Sequence, residues 1–303
     1  MWIRHESQPK SSSETIVSVE GKQPSDLLAA LYRDPTVDHQ YPAKTLPQAV
    51  PSHGVALNSV LYTAAGADPH PTVLLLHGLP GNEQNLDFAQ AARRSGWNVL
   101  MIHYRGSWGG RGNFTLANCL EDAAASLEWL MNSTTAQKHR IDPTCIAIIG
   151  HSMGGFIAAH TAAAYSAVVG LAVISAADLG LAFGGGGSQA TSAVDDNIGF
   201  SAGLHILAHA TPSTLAEEAH QYADCWNITK YAAVLKDRPS LVITSEDNFA
   251  SHGDNLYSTI QGLGGTKVTR AHFASDHAYS DCRIALQVAL LKWLGTLVNH
   301  GHS

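Results

Sequence analysis

The sequence predicts an α/β fold built on a doubly wound, mostly parallel sheet. Three observations predict it. Short continuous apolar runs recur along the chain, among them TVLLLHG, WNVLMIHYRG, CIAIIG, VVGLAVISA and SLVITS. Segments with helical spacing of apolar residues stand between them. Of the 303 residues, 45% are hydrophobic and only 14% charged, which is material for one large core without staples. Strands that read as unbroken apolar runs are buried on both faces, and helices alternating with them supply the covering layers.

Taken in order, residues 1–45 form a polar N-terminal extension, with a short helix in SDLLAALYRD. QAVPSHG and VALNSVLYTAA, separated by Gly54, read as an antiparallel pair at a sheet edge. TVLLLHG is then a strand, NLDFAQAARRSG a helix, WNVLMIHYRG a strand and NCLEDAAASLEWLMN a helix. CIAIIG, MGGFIAAHTAAAYS and VVGLAVISA continue the alternation as strand, helix and strand. Across 176–238 the rhythm breaks. This stretch carries FGGGGS at 183–188, the helix-like TLAEEAHQYADCW at 214–226 and no strong strand. SLVITS, NLYSTIQGLGG, KVTRAHF and RIALQVALLKWLGTLV then resume the alternation.

The core is therefore expected over 46–175 and 239–303, with 176–238 as a helical cap or lid inserted in it. At roughly 60 residues the insertion far exceeds an ordinary connection. Its ends emerge near one sheet edge, and Gly184 to Gly187 suit a hinge. It is expected to cover Ser152 and set substrate size, with Trp226 as a pocket wall. The alternative is a surface ornament.

Composition removes several function classes. The net charge is −7 and no basic run occurs, so a nucleic-acid partner is not expected. No apolar run reaches membrane-spanning length. Cys119, Cys145, Cys225 and Cys282 are scattered, which suits buried thiols in a reducing compartment. MWIRHESQPKSSSET has no apolar signal region, so a cytoplasmic location is expected. His205 and His209 stand four apart, but position 206 is not the glutamate a zincin motif needs, so no metal site is read there. No phosphate-binding glycine loop follows a strand, and no cofactor is expected.

CIAIIGHSMGGF carries the chemistry. Ser152 lies between the end of an apolar strand and the start of a helix, flanked at two residues by Gly150 and Gly154. A serine that must turn sharply to lift its hydroxyl clear of a sheet needs neighbours without a Cβ, and this is the G-x-S-x-G nucleophile elbow. A serine hydroxyl needs a base, and the base an orienting acid; in this order both follow on loops after late strands. His277, in ASDHAYSD, is the expected base. His272 lies within a strand, and Asp276 is read as shaping the loop. The acid is Asp247 or its neighbour Glu246, with Asp247 preferred. The oxyanion then needs two backbone donors: Met153 N–H after the nucleophile, and Leu79 N–H in the loop His77-Gly78-Leu79-Pro80-Gly81. Pro80 has no N–H to give.

LLLHGLPGN, HYRGSWGGRGNF, IGHSMGGF, LVITSEDN and SDHAYSDCRIALQVALLKWL resemble the α/β-hydrolase superfamily. The likeness is greatest to small bacterial serine hydrolases related to the prolyl oligopeptidase and dienelactone hydrolase branches. It implies an eight-stranded sheet, a cap after the sixth strand and no cofactor. His151 and Met153 around the nucleophile look more like an esterase elbow than a peptidase one. Arg105 resembles the arginine that supports this loop in the peptidase branch; the preferred alternative is that it holds backbone carbonyls. Trp108 is either the floor of an acyl pocket or a packed loop aromatic. The expected activity is hydrolysis of a small-molecule carboxylic ester through an acyl-enzyme. The alternatives are an aminopeptidase or amidase of the same fold, and a non-catalytic binding module.

Overall fold

The computed structural model of the chain describes residues 27–183 and 203–298. Eight strands form one sheet: β1 (Lys44–Ser52), β2 (Val55–Thr63), β3 (His70–Leu76), β4 (Asn98–Ile102), β5 (Ile141–His151), β6 (Val168–Ile174), β7 (Ser240–Ser245) and β8 (Val268–Phe273). Their order is β1-β2-β4-β3-β5-β6-β7-β8. The β1–β2 and β2–β4 pairs are antiparallel, and every pair from β4 to β8 is parallel. The expected antiparallel pair thus lies at the sheet edge.

Alternation along the central strands feeds two apolar layers. Leu74, Leu76, Ile146 and Ile148 point to the layer covered by α2 (Leu116–Met131), α4 (Met153–Ala164) and α8 (Ala250–Gly262). Val73, Leu75, Ala147 and Ile149 point to the layer covered by α1 (Leu86–Arg94) and α9 (Arg283–Val298). Apolar side chains on both faces of every central strand explain the unbroken runs in the sequence.

Strand order reverses at β3, which lies between β4 and β5. In an open parallel sheet such a reversal leaves a crevice beyond the carboxyl ends of the two strands. The Leu76↔Gly150 and His151↔Ile174 pairings bring the ends of β3, β5 and β6 level. The loop starting at His77 and the turn at Ser152 therefore flank the crevice.

Several elements differ from the sequence expectation, among them α8, which starts at Ala250, five residues before the expected NLYSTIQGLGG. A short helix, α3 (Ser133–His139), follows α2 directly, with the Asn132 side chain accepting from Thr134 and Thr135 N–H. Its sequence STTAQKH has no apolar spacing to announce it. β5 begins at Ile141, before the apolar run. The helix expected over 214–226 is α6 (Pro212–Gln221), started by a capping box between Thr211 and Thr214 and ended five residues early.

Between β6 and β7 the described residues hold α5 (Leu179–Phe183), α6, α7 (Ala232–Leu235) and two short 3-10 turns. Gly184 to Gly187, the expected hinge, lie outside the described residues. Leu204, Leu207, Leu215, Ala219 and Ile228 join the same apolar layer as α2 and α4. Glu218 of α6 accepts both Leu116 N–H and Ala117 N–H at 2.7 and 2.9 Å, capping the start of α2. Phe114 N–H donates to Ala208, and Ala208 N–H to Gly106, so 203–208 is laced to the loop after β4. Among the described residues no helix is long and apolar enough to cross a membrane. All four cysteines are free.

Candidate active site

Ser152 occupies the sharp turn between β5 and α4, with φ 57° and ψ −122°. A non-glycine residue there is strained, and it persists because the surroundings hold it. Ser152 N–H donates to the Ile174 carbonyl at 2.8 Å, and its own carbonyl accepts from Gly155 and Ala177. The two glycines are there for close approach. A Cβ at Gly150 would run into the Gly154 carbonyl, and one at Gly154 into the Leu76 carbonyl. Gly78 faces Ser152 itself: a Cβ there would stand 2.8 Å from Ser152 Cβ and 3.4 Å from its Oγ.

His277 and Asp247 meet across two strand ends, Nδ1 to Oδ2 at 2.8 Å. Asp247 Oδ2 also accepts from Ser245 Oγ at 2.7 Å, and Oδ1 from Phe249 N–H at 2.8 Å. Burial by itself would raise the Asp247 carboxyl; hydrogen bonds, the largest from His277, outweigh it and hold the group well below the usual carboxylate range. Glu246 is exposed and its backbone N–H donates to Ser275. The carboxylate brought to His277 is therefore that of Asp247. Asp276 accepts from Ser280 N–H and Oγ and shapes the loop. His272 lies on β8 with Nδ1 2.9 Å from Thr244 Oγ1.

The His277 loop is set beside the elbow by a residue whose role the sequence did not reveal. His151 Nε2 donates to the His277 carbonyl at 2.8 Å, and the two rings lie 4.7 Å apart. Burial, then the nearby His277, pushes His151 down to about 3, so its ring is neutral. The Phe249 ring stands 5.1 Å from the His277 ring. Among the described residues the Ser152 hydroxyl makes no hydrogen bond. Catalytic hydrogen bonds are commonly loose without substrate and tighten in the complex.

The loop from His77 to Gly81 lies over the same crevice. His77 is buried, its Nδ1 donating to the Gly78 carbonyl at 2.7 Å, and its carbonyl accepts from Tyr104 Oη at 3.2 Å. Burial pushes His77 down to about 4. Leu79 is half-buried against the apolar layer, and Met153 is buried. Among the described residues neither Leu79 N–H nor Met153 N–H is taken up by an acceptor. For Met153, the first residue of α4, this is the ordinary state of a helix N-terminus, which adds its partial positive charge.

Arg105 is held by carboxylates of α2. Its Nε donates to the buried Asp122 at 2.6 Å, and Nη2 donates to Glu121 at 2.5 Å and to the Asn118 carbonyl at 3.1 Å. It anchors the 105–114 loop to α2, mainly through carboxylates rather than carbonyls. Trp108 is exposed, its indole N–H donating to the Pro80 carbonyl at 3.0 Å. Trp226 is buried between Phe156 and Tyr222, at ring distances of 5.6 and 4.8 Å, within the core layer.

A family model described as the alpha/beta hydrolase family matches residues 73–287. Among solved structures the chain is similar to EstE1, a thermophilic carboxylesterase cloned from a metagenomic library. The TM-score is 0.59 at 19% identity, covering 90% of this chain and 92% of that one. It is similar to carboxyl esterase 2 of the mycorrhizal fungus Tuber melanosporum, with TM-score 0.59 and 19% identity over 87% and 90% of the two chains. It is also similar to a puromycin hydrolase, with TM-score 0.61 and 16% identity over 88% of this chain and 41% of that one. Likeness at these identities speaks for a common fold.

Proposed function

We propose that this chain, a member of the alpha/beta hydrolase family, hydrolyses carboxylic esters through an acyl-enzyme formed on Ser152. The observation that carries the reading is the Asp247–His277 pair, 2.8 Å apart, set beside the strained Ser152 turn by the bond from His151 to the His277 carbonyl. With Nδ1 donating to Asp247, the lone pair of His277 is on Nε2, as a general base requires.

The steps need no group beyond the chain, the ester and water. Ser152 Oγ attacks the ester carbonyl as His277 Nε2 takes its proton. The tetrahedral oxyanion is met by Met153 N–H and Leu79 N–H, both without another acceptor among the described residues. His277 returns the proton to the departing alcohol, leaving the acyl group on Ser152. Water then repeats the sequence and releases the acid. Gly203 is seated against the Pro80 ring and Trp108 against the Pro80 carbonyl. Those contacts support placing residues 203–208 and Trp108 on the wall of the substrate crevice, beside Leu79. The buried Trp226 is given a packing role instead.

The test is turnover of p-nitrophenyl acyl esters of graded chain length against an aminoacyl p-nitroanilide, with labelling by a fluorophosphonate. The expected result is ester turnover, label on Ser152, and loss of both in Ser152→Ala and His277→Ala by several orders of magnitude. The losses are not expected to add, because base and nucleophile act as one unit. Faster turnover of the anilide would replace the esterase reading by the amidase one. An active Ser152→Ala would end the mechanism.

A further inference from the structure

A line of hydroxyls ends on Asp247 Oδ2, the same oxygen that takes the bond from His277. Ser245 Oγ donates to Asp247 Oδ2 at 2.7 Å. Ser175 Oγ lies 3.0 Å from Ser245 Oγ, and Tyr279 Oη lies 2.9 Å from Ser175 Oγ. Ser175, Ser245 and Tyr279 are each 0% exposed. Their directions follow from counting protons. An ionised carboxylate only accepts, so the single Ser245 proton is spent on Asp247. Ser245 must then accept from Ser175, which in turn must accept from Tyr279. Burial pushes the Tyr279 phenol up to about 12, so it keeps its proton to donate.

The line also crosses the loops that build the site. Ser175 follows β6 with φ 43°, Ser245 ends β7, and Tyr279 stands two residues beyond His277 with φ 58°. We infer that Tyr279, Ser175 and Ser245 form a positioning chain that fixes Asp247 and disperses its charge, an assignment that rests on the hydrolase reading above. Hydrogen bonds in a buried series polarise one another, so the outermost phenol acts on a carboxylate it does not touch.

The charge facing the His277 ring is that of Asp247, and the other groups nearby are occupied. His151 is neutral, Arg283 is paired with Asp87, and Asp276 is engaged by Ser280. His252 is lowered by burial, opposed by Asp247. Losing a donor from the chain concentrates the Asp247 charge and holds the imidazolium more tightly. The acid limb of the kcat/KM profile then moves to higher pH.

The test uses Tyr279→Phe, Ser175→Ala, Ser245→Ala and the Tyr279→Phe/Ser175→Ala double variant, with Ser152→Ala as the reference for the hydrolase reading. Turnover of p-nitrophenyl acetate is followed across pH, and folding by thermal melting. Each variant is expected to lose about 3- to 30-fold in kcat with KM within about twofold, an interaction felt in the transition state. The limb should move up by several tenths of a unit, and the double variant should be no worse than its poorer parent. Tyr279→Phe preserves ring shape, so it decides the matter if either alanine variant folds poorly. A fall in kcat with the limb unmoved, or no change in Tyr279→Phe, would overturn the chain while leaving the hydrolase reading intact. Full activity in Ser152→Ala would overturn that reading instead.

Discussion

Consider adding one methyl group at Gly78. Its carbon would sit 2.8 Å from Ser152 Cβ, 3.2 Å from the His151 carbonyl oxygen and 3.4 Å from Ser152 Oγ. Carbon atoms prefer about 3.5–4.0 Å, so one partner must retreat by roughly 1 Å. Ser152 has nowhere to go. Its turn is closed by Gly150 against Gly154 and by Gly154 against Leu76, each in backbone contact. The loop at 77–81 must move, and with it Leu79 N–H. Overpacking of this kind costs about 1–3 kcal/mol. A displacement of about 1 Å at the reacting centre costs about 100-fold in rate. Gly78→Ala should therefore melt a few degrees lower and lose about 100-fold in kcat. Gly262, at the end of α8, is the control, since a Cβ there meets nothing within 4 Å. Gly262→Ala should keep full kcat and gain up to about 1 kcal/mol from the stiffer unfolded chain. Thermal melting and p-nitrophenyl acetate kinetics on both variants check this. A Gly78→Ala enzyme within about threefold of the parent in kcat would refute the claim that Gly78 holds the loop against the nucleophile.

Asp247→Asn should lower kcat by about 10,000-fold, because an amide cannot hold the productive tautomer, while Glu246→Gln should leave it within about twofold; steady-state kinetics on the pair decide the acid. Thermal unfolding against pH should show stability falling as pH drops from 6.5 towards 4. His77 and His151, held to about 4 and about 3 in the fold, cannot take up the protons that the unfolded chain binds below 6.5, each contributing a slope of up to about 1.4 kcal/mol per unit. That loss should slow below the folded values, and a melting temperature flat across this window would contradict it. Glu218→Ala should cost about 1–2 kcal/mol by uncapping α2, and Glu218→Gln, which keeps an acceptor, should recover part of it in denaturant titration.

The fold was legible because its information is local. Each central strand is an apolar run, and the closing helix RIALQVALLKWLGTLV matches α9 from end to end. What the sequence hid depends on distance along the chain. Helix α3 owes its start to the polar Asn132, whose signal is weak without an apolar face behind it. α6 ends at Gln221, although apolar residues continue to Trp226, because Trp226 is claimed by Phe156, seventy positions earlier in the chain.

The candidate site divides along the same line. Ser152 and its glycines are read from five consecutive residues, because the strain of the turn demands them together. His277 and Asp247 are read from their order after late strands. The residues that hold them are not local to anything. His151 reaches the His277 carbonyl across 126 positions, and Ser175 reaches Tyr279 across 104. One faint signal was present for the latter. The apolar strands ending VIS and VITS each place a serine where the chain leaves the sheet. A hydroxyl buried at the ends of two adjacent parallel strands, under the loop that carries His277, must find a partner or be left unsatisfied. That obligation makes a pair of strand-end serines informative about the candidate site once the strand order is known, because the neighbour available to them is Asp247 on the next loop.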